Sequence, residues 1–285
     1  MGEAGRIAII TEGRTREPQY FSSLKSLFFP SSELDVICLP SEGTIYALWK
    51  KLKEDEFQTD LIEVVRERSA DAAANLGDRK RDDFQEIYLF YDFDPQQSDL
   101  SGARDPDMAS VLRSMMETFD NETELGKLYI SYPMVEALWD IKEWNCEPHY
   151  RCRVPFQDLK EHLYKRYSSQ KNPCINENNT HTDVTTYTQE TWNMILSIFL
   201  VRCGCLFGST LTPDQLYAWY KKEISPDAIL EKELEVLQKD EEIFVLSAFP
   251  VWLLDYFRSE RWPSLLEDLK RVSQPICKPG VITDT

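Results

Sequence analysis

Apolar positions follow two rhythms in the first half of the chain. Arg6-Ile7-Ala8-Ile9-Ile10 is a nearly continuous apolar run, which predicts a strand buried on both faces. Residues 11–17 are polar and contain Gly13, so they read as a loop, and Pro18 then opens a helix where its missing N–H costs nothing. Tyr20, Phe21, Leu24, Leu27 and Phe28 fall on one face of that helix. A second strand is predicted over 34–39 and a helix over 44–56, with Ile45, Leu48, Trp49 and Leu52 on one face. Residues 60–81 are so rich in charge that they read as a solvated helix followed by a loop. Glu86-Ile87-Tyr88-Leu89-Phe90-Tyr91 is a third strand, ending in Asp92-Phe93-Asp94-Pro95. A polar loop, a helix over 107–119, a fourth strand over 127–131 and a helix from Pro133 to about Lys142 complete the series.

Such alternation predicts an α/β fold with a mainly parallel sheet flanked by helices. Beyond Trp144 the rhythm changes. Residues 144–179 read as linker plus one helix, and helices are predicted over 188–201, 213–223, 226–239, 241–258 and 263–272. The expected organisation is an α/β domain over 1–143 and a mostly helical region over 144–285, as a separate domain or an extension of the same body.

In a parallel sheet, ligands sit beyond the carboxyl ends of the strands. Glu12 follows the first strand, Asp92 and Asp94 end the third, and Glu136 lies in the first turn after the fourth. Asp92 and Asp94 are two apart, so their side chains share one side of a strand, where like charges raise each other's pKa unless a cation intervenes. Mg²⁺ takes oxygen ligands and is commonly held by one or two carboxylates plus a substrate phosphate. Glu12 would then act as general acid or base, or bind a second ion. Each acid also has a plainer reading: a loop acid beside a turn glycine, a strand-exit Asp bonded to its turn, a Glu that complements a helix N-terminus. Arg14 and Arg16, beside Glu12, are candidates for a phosphate clamp.

Thr11-Glu12-Gly13-Arg14-Thr15-Arg16-Glu17-Pro18-Gln19-Tyr20-Phe21 resembles the opening motif of RloB-like proteins. Phe90-Tyr91-Asp92-Phe93-Asp94 resembles the Asp-x-Asp segment of TOPRIM domains, and Ser131-Tyr132-Pro133-Met134-Val135-Glu136-Ala137-Leu138-Trp139 is similar to a third block of the family. The resemblance covers roughly residues 6–142. It implies a TOPRIM-like, Rossmann-like domain with Glu12, Asp92, Asp94 and Glu136 as catalytic and metal-binding acids and Mg²⁺ or Mn²⁺ as cofactor. It further implies a nuclease of bacterial phage-defence and restriction loci, acting on tRNA or DNA, with an ATPase sensor as protein partner. Topoisomerase activity is not expected, because no strand-passage domain or well-placed nucleophilic Tyr is evident. Two other classes stay open: a non-catalytic TOPRIM-shaped regulatory or binding subunit, and a metal-dependent nucleotide phosphohydrolase.

Composition trims this picture. A net charge of −17 argues against passive coating of nucleic acid and leaves a basic partner open. Seven cysteines without a paired framework, and an opening Met-Gly-Glu-Ala-Gly-Arg without an apolar leader, predict a reducing cytoplasm. No membrane span is expected, since the most apolar run, 243–257, is interrupted by Ser247, Pro250 and Asp255. An exposed face on that helix or on 188–201 would mark a homo-oligomer or partner surface. Cys146-x-x-His149-x-x-Cys152 with Cys174 has zinc-binding residue types without a standard spacing, and Cys203-Gly204-Cys205 reads as structural. Basic residues alternate with aromatics at 150–153 and 160–171, a pattern that grips and stacks a nucleic acid or lies on a solvated helix.

Overall fold

The computed structural model describes residues 5–29, 34–93, 108–140, 153–168, 183–209, 211 and 213–257. They divide into two units: 1–130 with 184–186, and 131–183 with 187–285.

The first unit is built on β1 (Gly5–Thr11), α1 (Arg16–Phe28), β2 (Leu34–Pro40), α2 (Ile45–Glu54), α3 (Leu61–Arg68), α4 (Ala70–Leu76), β3 (Glu86–Asp92), α5 (Met108–Thr118), β4 (Asp120–Asn121) and β5 (Gly126–Ser131). The strands form one sheet in the order β2-β1-β3-β5-β4. β1 runs parallel to both neighbours, with Ile9 opposite Cys38 and Tyr88, and Thr11 opposite Pro40 and Phe90. The short β4 is antiparallel to β5. Ile7, Ala8, Ile9 and Ile10 are all buried, as a central strand covered on both faces requires. Phe21 of α1 packs edge-on against Phe90 at 4.7 Å, and Phe90 stacks on Tyr129 at 5.5 Å.

Segment 60–81 is a correction to the expected solvated helix and loop. It forms two helices whose inner faces, Leu61, Ile62, Val64, Val65, Ala72 and Leu76, are buried. Each has its own N-cap: Asp60 accepts from the Ile62 N–H at 2.6 Å, and Ser69 Oγ accepts from the Ala72 N–H at 3.1 Å. The charges lie on the outer side of a conventional amphipathic pair. α1 begins at Arg16, two residues before Pro18, which still sits in a first turn where no N–H is needed.

The second unit contains a 3₁₀ turn (Val135–Leu138), β6 (Arg153–Pro155), α6 (Phe156–Lys160), α7 (Leu163–Ser168), α8 (Gln189–Leu206), α9 (Pro213–Glu223), α10 (Pro226–Asp240), β7 (Glu242–Phe244) and α11 (Ala248–Phe257). α8 is its spine. Trp192, Ile195, Leu196, Phe199, Leu200 and Cys203 are buried, and Gly204 lies so close to Leu216 of α9 that a β-carbon would meet its Cδ2 at 2.9 Å.

Two expected helices are replaced. Over 241–258, Glu241 takes a left-handed φ of 54° that ends α10, and the next three residues pair antiparallel with β6 before α11 begins. After β5, Tyr132 and Leu246 exchange backbone hydrogen bonds of 2.7 and 2.8 Å. Beyond that pairing the chain bends at Pro133, is extended at Met134 and makes a 3₁₀ turn over Val135–Leu138 where a helix from Pro133 is expected; residues 141 and 142 lie outside the described residues. The helix expected over 263–272 lies outside the described residues. None of the described helices is long and apolar enough to cross a membrane.

Candidate active site

The carboxyl ends of β1, β2 and β3 meet at one edge of the sheet. Glu12 leaves β1 and Asp92 closes β3, and both side chains are half-buried. Glu12 Oε2 accepts from the Asp92 N–H at 3.4 Å, so two of the four predicted acids are neighbours across adjacent strands. Asp94 lies outside the described residues.

The exit of β2 is tied into the same edge. The Ser41 N–H donates to the Thr11 carbonyl at 2.8 Å, the Ser41 hydroxyl donates to the Gly43 carbonyl at 3.1 Å, and the buried Tyr91 hydroxyl donates to Ser41 Oγ at 2.8 Å. Burial pushes the Tyr91 phenol well above its usual range; the Ser41 bond and the Arg68 charge oppose the shift, and the Glu12 charge adds to it. Glu42, the next residue, has a left-handed φ of 53°. One of its oxygens pairs with the Arg14 guanidinium, and the other accepts from the Ser69 hydroxyl at 2.9 Å. Those two bonds hold its carboxyl below the usual range. Arg14 therefore stands over this edge on a carboxylate anchor, while Arg16 is exposed at the start of α1. The Glu17 carboxylate lies over Gly13, in the space a β-carbon would need.

Glu136 belongs to the second unit. It is 1% exposed within its 3₁₀ turn, and Lys165 Nζ approaches its Oε1 at 3.9 Å. Close by in sequence, the Asp140 carbonyl accepts from Arg202 at 2.7 Å.

The basic and aromatic pattern of the second unit is largely committed to its own structure. Arg153 pairs with Asp240 and Glu242 at 3.0 and 3.2 Å and lies over Phe244, Lys160 lies over Phe156, and Tyr164 is fully buried. Arg153 is thus engaged with protein partners, and Tyr164 cannot offer a face to a base. Residues 150–152 and 169–171 lie outside the described residues, as do Cys146, His149, Cys152 and Cys174. Cys203 is buried and its thiol pushed well up by desolvation; Cys38 is pushed up to about 12 for the same reason. Neither is a nucleophile at neutral pH.

Among the described residues no group of three or more His, Cys, Asp or Glu side chains gathers to hold a metal ion. The oxygen donors offered at the sheet edge include the Glu12 and Asp92 carboxylates, whose residues meet through the Asp92 amide. Two hard oxygen donors beside an open edge fit Mg²⁺, which keeps much of its water and shares substrate phosphate. Sequence reasoning missed Ser41, Glu42 and Arg68 at this edge. The polar Ser41-Glu42-Gly43-Thr44 exit from β2 is the signal that could have found the first two. No family model, curated protein or solved structure matches the chain.

Proposed function

We propose that the chain is a Mg²⁺- or Mn²⁺-dependent nuclease built on a TOPRIM-like domain, cutting tRNA or DNA as a phage-defence effector. The observation that supports this most is the pairing of Glu12 with the Asp92 amide at the carboxyl edge of the parallel sheet. Asp92, with Asp94 two residues on, would hold the ion, and Glu12 would serve as general acid or base or as ligand to a second ion. Glu136 is buried within the second unit and is given no part in this shell. The bound ion would stabilise charge on the attacking or leaving oxygen of the phosphodiester. Arg14, steered by Glu42, and Arg16 would contact flanking phosphates.

The test is a cleavage assay with Mg²⁺ and with Mn²⁺ on total tRNA, plasmid DNA and single-stranded DNA, with the Glu12→Ala/Asp92→Ala double variant alongside. Metal-dependent cutting that disappears in the variant is the expected result, and the polymer that is cut names the substrate. No cutting by a well-folded wild-type chain, alone or with an ATPase partner, would sink the reading. The net charge of −17 then favours the second reading, a non-catalytic TOPRIM-shaped subunit that binds a basic partner.

A further inference from the structure

Arg68 is the last residue of α3 and is half-buried. Its Nε is enclosed and has no hydrogen-bond partner, and its guanidinium has no ion pair among the described residues. Arg66, two residues earlier, shows what a satisfied arginine looks like here. It pairs with Glu63 at 3.1 Å and donates to the carbonyls of Gly77 and Arg79. An enclosed Nε–H without an acceptor is costly, so an anion that completes it binds with advantage.

The room around Arg68 is built. Its Nη2 end lies against Gly43, in the space that any β-carbon there would fill. The strained backbone of this turn falls on Glu42, at φ 53°, and Gly43 has no left-handed φ. Glycine is therefore not required at 43 for backbone conformation; its missing side chain leaves space for the guanidinium. Ser41, Tyr91, Ser69 and Arg14 pin this turn from both sides. The same edge carries Glu12, Glu42 and Asp92, and these acids repel a phosphate unless a cation offsets them.

We infer that Arg68, seated on Gly43, binds a phosphate group at this edge, and that in the nuclease reading, on which this assignment rests, it is the phosphate flanking the bond addressed by Glu12 and Asp92. The planar fork of a guanidinium matches two phosphate oxygens at once, which a lysine cannot do.

The experiment titrates the full chain, in EDTA and at fixed ionic strength, with a labelled single-stranded oligonucleotide, a nucleoside monophosphate and inorganic phosphate. It compares wild type with Arg68→Gln, Arg68→Lys and Gly43→Ala, and follows thermal unfolding in each. Arg68→Gln is expected to weaken binding about tenfold, Arg68→Lys to recover part of it, and Gly43→Ala to weaken it with the charge still present. Without ligand, Arg68→Gln should melt no lower than wild type, since it loses an uncompensated charge. A response to the oligonucleotide alone places the phosphate in a polymer, and a response to the small ligands places it in a nucleotide; both keep Arg68 as its holder. Wild-type affinity in Arg68→Gln, or a marked fall in its melting temperature without ligand, overturns the inference. Binding is read without metal and cutting in a parallel assay with Mg²⁺ or Mn²⁺, so the two readings fail separately: retained cutting with wild-type binding in Arg68→Gln removes Arg68 alone, and Arg68-dependent binding with no cutting in the metal-containing assay removes the nuclease alone.

Discussion

At the edge of the first unit's sheet, Glu12 and Asp92 are half-buried, and Glu12 turns one oxygen to the Asp92 amide. In the second unit, Glu136 and Glu233 are each 1% exposed. Glu233 Oε2 accepts from the Phe244 N–H at 2.9 Å, tying α10 to β7, while its Oε1 is enclosed without a partner. Desolvation pushes the Glu233 carboxyl well above its usual range, with the Phe244 bond and the Arg153 charge opposing. Residue type does not separate these acids; position does. An acid at the open end of a parallel strand can exchange water for an ion or a phosphate, whereas one closed inside a helical unit mainly fixes the backbone around it.

The largest expected effect breaks the comparison on the first unit's side. Glu12→Gln and Asp92→Asn should each lower metal-dependent cutting by about 100-fold or more, as loss of a positioned acid or base does, while the unfolding transition stays cooperative and moves little. If either variant fails to fold, that acid belongs with the buried class.

Glu136→Gln probes the other side. Loss of the charge facing Lys165 should cost stability on the order of 1–3 kcal/mol by denaturant titration, with cutting per folded molecule changed less than tenfold. Full stability with abolished cutting would contradict the structural role of Glu136.

Glu233 gives a pH signature. Its carboxyl in the fold titrates above the ordinary 4.5, so the folded chain keeps a proton that the unfolded chain releases above that pH. The stability drawn from this group is complete below about pH 4.5 and is lost as pH rises toward the folded value. Glu233→Gln mimics the protonated acid. Its stability relative to wild type should therefore grow with pH above that point, by at most about 1.4 kcal/mol per pH unit. A pH-independent gap between the two would contradict the buried, neutral state.

The smallest effect belongs to Arg14 and Glu42. Glu42 is held below its usual range, so its contribution is present above about pH 4.5 and fades as pH falls through the lower folded value. Glu42→Gln should lower the melting temperature slightly at neutral pH and low salt, and not at all in acid or at high salt, where an exposed pair is screened.

The parts of the fold set by local pattern were legible. The uninterrupted apolar run of β1, the single apolar face of α2 and the Pro and Ser starts of α9 and α10 each state their element within a few residues. What was misread depends on distant partners. The run at 242–244 becomes a strand because Arg153–Pro155 pairs with it, and Tyr132 is held in a bridge after β5 because Leu246 pairs with it; neither partner is near in sequence. In segment 60–81 the charged outer face masked Leu61, Ile62, Val64 and Val65, although Asp60 and Ser69 were readable caps. At the candidate site, Glu12 and Asp92 followed from the rule that parallel strands present their carboxyl ends together. Arg68 did not, because only the folded chain brings it against Gly43.

The central claim is that Glu12 and Asp92 form one ion-holding pair, and calorimetric titration of Mg²⁺ and Mn²⁺ into the full chain tests it most directly. The account predicts a saturable site that is lost in Asp92→Asn and weakened about tenfold or more in Glu12→Gln, with both variants folded. Saturable binding unchanged in both variants, or none in the wild type with nucleic acid present, would contradict it.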